Sequence, residues 1–297
     1  MSLVIPSDLD WWRSRPDGAA WLSALPEIVG TCVERWGLRL GEPFEGGNAS
    51  LVAPGELPDG TEAVLKVSFP DEESAREPDA LAFWNGKAVV RLLDSDPSRR
   101  ALLIERCRPG TQLWTVEDDE EATRIAAGVL RRLWRPIAPG HLFRLLSDVA
   151  KQWNAELLGS HSALGGPFDR KLLDEALVAL AELGPSQGEQ VLLHQDFHGG
   201  NVLLSGEGNW LAIDPKPLVG EREFDLASLL RDRRWALVRE DGARIVQRRL
   251  DILTDELGLD RERMRLWGIA HALAWGMSSG GVHQEMIHAA RLLQQAS

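Results

Sequence analysis

The 297-residue sequence lacks the features that mark several classes of protein. Its two cysteines, Cys32 and Cys107, have no metal-ligand spacing and cannot form a disulfide framework, so we expect a reducing, cytoplasmic location. No apolar run approaches the roughly 18 residues that a membrane-spanning helix requires. The N-terminal segment MSLVIPSDLDWW has no basic region and no long apolar stretch, so no signal peptide is expected. We therefore expect a globular protein that does not associate with membranes.

Positive charge is also scarce. The chain has 33 Lys and Arg residues against 45 Asp and Glu residues, which gives a formal net charge of −12. Such an acidic protein is poorly suited to bind nucleic acid or an anionic membrane, whereas a small cationic substrate is compatible with it. Only five of the basic residues are lysines, so each lysine is a candidate for a specific role.

The first 107 residues predict a small β-rich lobe preceded by a helical extension. Apolar residues at helical spacing predict one or two helices over 7–38. Short segments separated by turn residues predict strands at 39–44, 49–53 and 62–68, and two more around a turn at 94–98. A turn is predicted at Pro54-Gly55, and a helix over 71–86 is predicted to end at Gly86.

Residues 108–297 predict a larger, helical lobe. Apolar residues recur at three- and four-residue intervals over 117–135, 141–158, 169–183, 223–239, 243–257 and 260–294. Among these segments, two short apolar strands at 191–193 and 210–213 flank a polar stretch and predict one embedded hairpin. The predicted fold class is therefore α+β, with an amino lobe over 1–107 and a carboxy lobe over 108–297.

The polar stretch lies within VLLHQDFHGGNVLLSGEGNWLAID, residues 191–214, and one interpretation of it is a metal site. His194, Asp196 and His198 alternate along the chain, so on a strand they would share one face. A zinc-dependent hydrolase could use such a group, although a further ligand is usually required and the other histidines form no second cluster. This interpretation leaves the Gly-Gly-Asn sequence unexplained.

The same stretch also fits a phosphoryl-transfer site. His194-Gln195-Asp196 is followed by Asn201, five positions after the aspartate, which is the spacing of a kinase catalytic loop. Asp214 ends the next apolar strand, where a second carboxylate for Mg²⁺ is required. Carboxylate and amide oxygens are hard ligands of the kind that Mg²⁺ prefers.

A kinase also needs a cation for the nucleotide phosphates, and Lys66 in AVLKV has the position of the lysine in the Val-Ala-Ile-Lys signature. Because a buried charge is costly, Lys66 should have a partner on the following helix, either Glu77 or Glu73. Backbone N–H groups in the turn between two predicted strands could cover phosphates. The residues of that turn are Gly46, Gly47 and Asn48.

Taken in order, these residues resemble the protein-kinase-like fold, and in particular the aminoglycoside phosphotransferase superfamily. The segments LLHQDFHGGNVLL and WLAIDPKPLVGEREFDLASLLR are similar to the streptomycin 6-kinase and hydroxyurea phosphotransferase family within it. EPDALAFWNGKAVVRLLDSD and ALLIERCRPGTQL also resemble that family's amino lobe and connector. The resemblance covers about residues 40–235. It implies a nucleotide-binding amino lobe, a carboxy lobe with a catalytic hairpin and an acceptor site, and a nucleotide bound between the lobes.

The resemblance also implies roles for residues of the carboxy lobe. Asp196 would be the catalytic base that orients the acceptor hydroxyl or accepts its proton. Asn201 and Asp214 would hold Mg²⁺. Asp225, in Phe-Asp-Leu-Ala, would be a structural anchor beneath the catalytic loop.

In the amino lobe, the resemblance implies the binding of ATP. Lys66 would contact the α- and β-phosphates and would be fixed by Glu77. Backbone groups near Glu105 and Cys107 would hold adenine. The irregular turn over 46–48 would cover the phosphates, although it is not a Gly-x-Gly-x-x-Gly sequence.

Only ten residues separate Asp214 from Asp225, which leaves no room for a long activation loop and favours a small-molecule kinase over a protein kinase. We therefore expect ATP- and Mg²⁺-dependent phosphorylation of a hydroxyl on a cationic, aminoglycoside-like acceptor, with streptomycin favoured. The protein would inactivate an antibiotic and act as a monomer. The alternatives are a kinase of an unidentified metabolite, a non-catalytic nucleotide-binding pseudokinase and the metallohydrolase.

Overall fold

The chain divides into two units, one ending at Gly110 and the other beginning at Thr111. The computed structural model describes residues 3–206, 208–278 and 281–296. Within these residues, no helix is long and apolar enough to cross a bilayer.

The amino-terminal unit is built on an antiparallel sheet with the strand order β1-β2-β3-β5-β4. A 3-10 helix over Ser7–Ser14 comes first. The other elements are α1 (Pro16–Trp36), β1 (Arg39–Leu40), β2 (Ser50–Glu56), β3 (Glu62–Ser68), α2 (Glu77–Trp84), β4 (Leu92–Asp96) and β5 (Ala101–Glu105). Apolar side chains of α1, β2, β3 and β5 form one buried core, which excludes water from the centre of the sheet.

Two local predictions for this unit are wrong. Pro54 and Gly55 do not form a turn but lie inside β2. Proline is tolerated there because the paired register of β1 and β2 ends at Gly55, so that no residue of β1 needs an N–H donor from Pro54, whose carbonyl accepts from the Gly41 N–H at 2.7 Å. The helix before Gly86 ends one residue earlier than predicted, since Asn85 is the left-handed cap with φ 47°.

The boundary between the two units falls within β6 (Pro109–Gln112), which leads into the mainly helical carboxy-terminal unit. Its other elements are α3 (Asp119–Leu133), β7 (Arg144–Leu145), α4 (Leu146–Ala163), α5 (Arg170–Leu183), β8 (Gln190–Leu193), β9 (Val202–Ser205), β10 (Asn209–Ala212), β11 (Leu218–Glu221), α6 (Ala227–Leu230), α7 (Arg234–Leu237), α8 (Gly242–Leu257), α9 (Arg261–Gly276), β12 (Met277–Ser278), β13 (Gly281–Val282) and α10 (Gln284–Gln295).

The predicted hairpin exists, but it is made of different strands. β9 pairs with β10, whereas the apolar strand β8 pairs with β11 and lies in a separate small sheet with β7. The polar stretch is therefore the connection from β8 to β9, the first strand of the hairpin. Apolar periodicity alone could not distinguish these pairings, because both strands are short and buried.

Two of the helix predictions for this unit, 223–239 and 260–294, are partly wrong. Segment 223–239 is interrupted between α6 and α7, where Arg233 adopts φ 51° and three consecutive charged residues are buried. Segment 260–294 forms α9 and α10 with a two-stranded turn between them, and residues 279–280 of that prediction lie outside the described residues. Gly276 is the last residue of α9 and packs closely on α10, where an added Cβ would lie 3.0 Å from the Met286 Cβ.

Candidate active site

The connection between β8 and β9 carries the catalytic-loop sequence, and His194 fixes its beginning. The imidazole is fully buried, and its Nε2 lies 2.9 Å from the carbonyl oxygen of Ile213, just after β10. Burial lowers the pKa of His194 to about 4, so the ring is neutral and donates to that carbonyl. His194 therefore joins the start of the loop to the residue before Asp214.

We expect the pH dependence of stability to report this neutral histidine. Its pKa is about 4 in the folded protein against 6.5 for an exposed histidine, so the unfolded chain binds a proton first as the pH falls. The free energy of unfolding should therefore decrease by about 3 kcal/mol between about pH 7 and pH 4 through this group alone.

A His194→Gln variant is the matched control, because the introduced side-chain amide can donate to the same carbonyl but does not titrate. The difference in unfolding free energy between wild type and variant, measured by urea denaturation, should decrease across this pH interval. A difference that stays constant would show that His194 is not held neutral.

A buried aspartate anchors the backbone of the loop. Asp225 is fully buried, and its carboxylate accepts hydrogen bonds from the backbone N–H groups of His194 (3.1 Å) and Gln195 (2.7 Å) and from Trp134 Nε1 (2.8 Å). Burial raises the pKa of Asp225 to about 6, against the effect of these donors. The hydrogen bond from the Gln195 N–H to Asp225 holds Gln195 at φ 66°, a conformation that costs about 1 kcal/mol for a residue other than glycine.

A second buried aspartate, which sequence reasoning did not find, holds the end of the loop. Asp232 accepts hydrogen bonds from the Gly199 N–H and from Trp114 Nε1, each at 2.6 Å. The Trp114 ring packs so closely on the loop that an added Cβ would lie 2.6 Å away at Gly199 and 2.7 Å away at Gly200. This packing therefore requires the Gly-Gly sequence. The only indication of Asp232 in the sequence is its place as an acidic residue shortly after Phe-Asp-Leu-Ala.

Asn201 is oriented by the loop itself. Its Nδ2 donates to the backbone carbonyl of Asp196 at 3.0 Å, so that its Oδ1 remains available as a ligand. Its own carbonyl accepts from the N–H of Ile213 at 2.9 Å, which ties Asn201 to the segment that ends in Asp214. Asp214 is partly exposed and adopts φ 58°. An amide oxygen and a carboxylate are hard ligands and fit Mg²⁺, which keeps several waters and needs few protein ligands.

The Asp196 side chain is 13% exposed, and three positive or hydrogen-bond-donating groups surround it. They are Lys216 Nζ at 3.6 Å, Arg231 Nη2 at 3.8 Å and His198 Nε2 at 3.8 Å. Burial raises the pKa of Asp196, but the nearby positive charges outweigh it and hold the pKa below its ordinary value. The carboxylate is therefore ionised at neutral pH.

The contacts of the two loop histidines do not favour the zinc interpretation. His198 Nδ1 accepts a hydrogen bond from the Gly200 N–H at 3.1 Å, so its Nε2 carries the proton and faces Asp196. His194 faces Ile213 instead. Within the described part of the chain, no group of three or more His, Cys, Asp and Glu side chains is arranged to hold a metal ion.

In the amino-terminal unit, Lys66 has the carboxylate partner that the sequence predicts. Lys66 lies on β3 with 4% of its surface exposed, and its Nζ lies 2.6 Å from both carboxylate oxygens of Glu77. Glu77 is the first residue of α2 and is itself 1% exposed. The pair is thus buried, with both carboxylate oxygens in contact with the ammonium group, which fixes that group against the start of α2.

The turn predicted to cover phosphates is held by the N-terminal segment. The Gly46 N–H donates to Asp8 Oδ2 at 2.6 Å, and the Asn48 carbonyl accepts from Trp12 Nε1 at 2.8 Å. Gly47 is required sterically, since an added Cβ would lie 2.5 Å from the Ser50 carbonyl oxygen. The N–H of Gly46 is therefore already used within the unit.

The residues predicted to hold adenine lie at the end of this unit. Glu105 is the last residue of β5, and its N–H donates to the carbonyl of Arg91 at 2.9 Å. Cys107 follows two residues later and is buried. The Glu105 N–H is therefore engaged, and an adenine contact would use other backbone groups of this segment.

Known proteins are similar to this chain in fold and in sequence. The solved structure of aminoglycoside phosphotransferase APH(4)-Ia superposes with a TM-score of 0.62 over 92% of this chain and 98% of that chain, at 13% identity. This likeness confirms the two-lobed protein-kinase-like fold class. Streptomycin 6-kinase of Streptomyces glaucescens is 42% identical over 269 residues, or 89% of this chain and 87% of that protein. Hydroxyurea phosphotransferase of Kitasatospora aureofaciens is 41% identical over 286 residues, or 94% and 82%.

The profile of the aminoglycoside/hydroxyurea antibiotic resistance kinases matches residues 35–285. The chain belongs to this family, as its motifs predict, and it is a phosphotransferase.

Proposed function

We propose that this protein transfers the γ-phosphoryl group of ATP to a hydroxyl group of a streptomycin-like aminoglycoside and thereby inactivates it. The observation that carries the proposal is the position of Asp196. Its carboxylate is ionised and partly exposed, on a loop that Asp225 and Asp232 fix from beneath. Such a rigid carboxylate can orient an acceptor hydroxyl without reorganisation of the protein.

In the proposed step, the acceptor hydroxyl donates its hydrogen to a carboxylate oxygen of Asp196. The hydroxyl oxygen forms a bond to the γ-phosphorus as the bond between that phosphorus and the β–γ bridging oxygen breaks. The proton passes to Asp196, and the electron pair of the broken bond leaves with ADP. The low pKa of Asp196 keeps it in the state that accepts the proton.

The proposed function assigns two further roles, one in each unit. Asn201 and Asp214 would hold Mg²⁺, and the bound ion would neutralise negative charge on the phosphates. Lys66 would contact the α- and β-phosphates, since its ammonium group is already fixed by Glu77 at 2.6 Å. The donor sets on the loop and on β3 support these assignments.

Streptomycin is the favoured acceptor because the streptomycin 6-kinases of Streptomyces glaucescens and Streptomyces griseus are 42% and 40% identical to this chain. The net charge of −12 suits an acceptor that carries guanidinium groups. Hydroxyurea is the second candidate, since a hydroxyurea phosphotransferase is 41% identical over 94% of the chain.

The test is ADP release from Mg²⁺-ATP with a panel of streptomycin, other aminoglycosides, hydroxyurea and small metabolite alcohols. We expect stimulation by streptomycin and loss of that stimulation in an Asp196→Asn variant. Stimulation by hydroxyurea alone would replace the acceptor but keep the chemistry. ATP binding without turnover on any acceptor would favour the pseudokinase, and tightly bound zinc without ATP binding would favour the metallohydrolase.

A further inference from the structure

Two cations beside Asp196 have no role in the reaction described so far. Lys216 Nζ and Arg231 Nη2 lie 3.6 and 3.8 Å from its carboxylate oxygens, beyond the usual length of a hydrogen bond. They therefore act on Asp196 through charge, and an oxygen atom of a substrate could receive hydrogen bonds from them beside the carboxylate.

Arg231 is buried, with 6% of its surface exposed, yet it is poorly satisfied. Its Nη2 donates to Ser228 Oγ at 3.0 Å, and Ser228 in turn donates to the Gln195 carbonyl, which ties the guanidinium group to the catalytic loop. Its buried Nε has no hydrogen-bond partner among the described residues. An arginine in this condition costs stability, which suggests that a ligand completes its contacts.

Another buried arginine of the same unit shows the contrast. Arg249 is 2% exposed, and it forms a two-pronged ion pair with Asp119 at 2.6 and 2.9 Å. It also donates to backbone carbonyls, including that of Asp232 at 2.7 Å. The fold therefore satisfies a buried guanidinium group where the role is structural, and it leaves Arg231 beside Asp196 with donors to spare.

Both cations also lie against the same aromatic ring. Lys216 Nζ is 4.8 Å and the Arg231 guanidinium carbon is 5.3 Å from the centre of the Trp275 ring on α9. Behind that ring, His271 is fully buried, and burial together with these two cations lowers its pKa, so it adds no charge. Both positive groups are therefore held on one ring beside Asp196, which places them together at the carboxylate that receives the acceptor hydroxyl in the proposed reaction.

We propose that Lys216 and Arg231 contact the oxygens of the phosphoryl group as it passes to the acceptor. The inference rests on the proposed function and adds two groups that touch the reacting atoms. Charge on these oxygens must be stabilised during transfer, and fixed cations do this without rearrangement. A cationic acceptor would then have to present an uncharged, hydroxyl-bearing part to Asp196, with its guanidinium groups farther away.

The test compares Arg231→Met and Lys216→Met with Arg234→Met, an exposed arginine three residues from Arg231 that pairs with Glu285. We expect kcat to decrease by about 100-fold in each of the first two variants, with KM for ATP changed by less than about threefold and little effect in the control. Arg231→Lys should recover part of the loss. Lys216 is a side chain with 26% exposure, so its variant should fold even if Arg231→Met does not.

Comparison of ATP with ATPγS separates direct contact from the positioning of Asp196. Sulfur accepts hydrogen bonds more weakly than oxygen, so a lost contact should reduce the ATP-to-ATPγS rate ratio by about threefold or more in both Met variants. An unchanged ratio with a lower kcat would mean positioning only and would overturn the inference, as would kcat values within about threefold of an active wild type. If the wild type phosphorylates no acceptor, the proposed function itself fails.

Discussion

The Asp196→Asn variant should lose about a thousandfold or more in kcat while its affinity for ATP changes by less than about threefold. Asparagine has the same shape but cannot accept the hydroxyl proton. The backbone contacts of residue 196, with the carbonyl of His194 and with Asn201 Nδ2, do not involve the side chain and should be retained. Turnover would be measured by ADP release and ATP affinity by calorimetry.

An exposed aspartate provides the matched control for this variant. Asp174 on α5 pairs with Arg170 at the surface, so Asp174→Asn removes the same charge away from the loop and should retain wild-type kcat. If Asp196→Asn kept kcat within about tenfold of wild type, the carboxylate could not be the group that accepts the proton.

The buried Lys66–Glu77 pair should give the second large effect. Lys66→Met leaves the Glu77 carboxylate buried without its cation, so we expect a loss of about 3 kcal/mol in unfolding free energy. Because Lys66 is the proposed phosphate contact, kcat/KM for ATP should also decrease by about 100-fold. Glu77→Gln should destabilise the protein similarly, since it removes the charge opposite a buried ammonium group.

The double variant separates stability from catalysis. Lys66→Met with Glu77→Gln removes both buried charges, so urea denaturation should show recovery of much of the stability lost in each single variant. Its activity should remain as low as that of Lys66→Met. Recovery of activity together with stability would mean that Lys66 has only a structural role.

Local spacing was enough to predict part of the candidate site. Asp196 and Asn201 are five residues apart on one loop, and Lys66 stands in an apolar strand where a buried charge requires a partner. Glu77 follows from the same requirement. These inferences depend on one or two adjacent elements, which is the range over which sequence patterns carry physical information.

The parts that the sequence did not reveal depend on contacts between distant segments. Apolar periodicity predicted one helix over 223–239, but Asp232 turns away to hold Gly199, and Arg231 turns toward Asp196. The choice of β11 as the partner of β8 is likewise a non-local pairing. At the turn over 46–48, the glycines indicated a phosphate-binding turn. The sequence did not reveal that Asp8 and Trp12, from the distant N-terminal segment, hydrogen-bond to the backbone of this turn.

The most direct test of the account is to identify the phosphorylated product. Streptomycin would be incubated with Mg²⁺-ATP and the purified protein, and the product examined by mass spectrometry and phosphorus NMR. We expect streptomycin to gain one phosphoryl group as a phosphate ester of a single hydroxyl, and we expect Asp196→Asn to yield no such product. Unmodified streptomycin alongside a protein that binds ATP and phosphorylates hydroxyurea or another alcohol would contradict the proposed acceptor. An equal yield of phosphorylated streptomycin from Asp196→Asn would contradict the proposed chemistry.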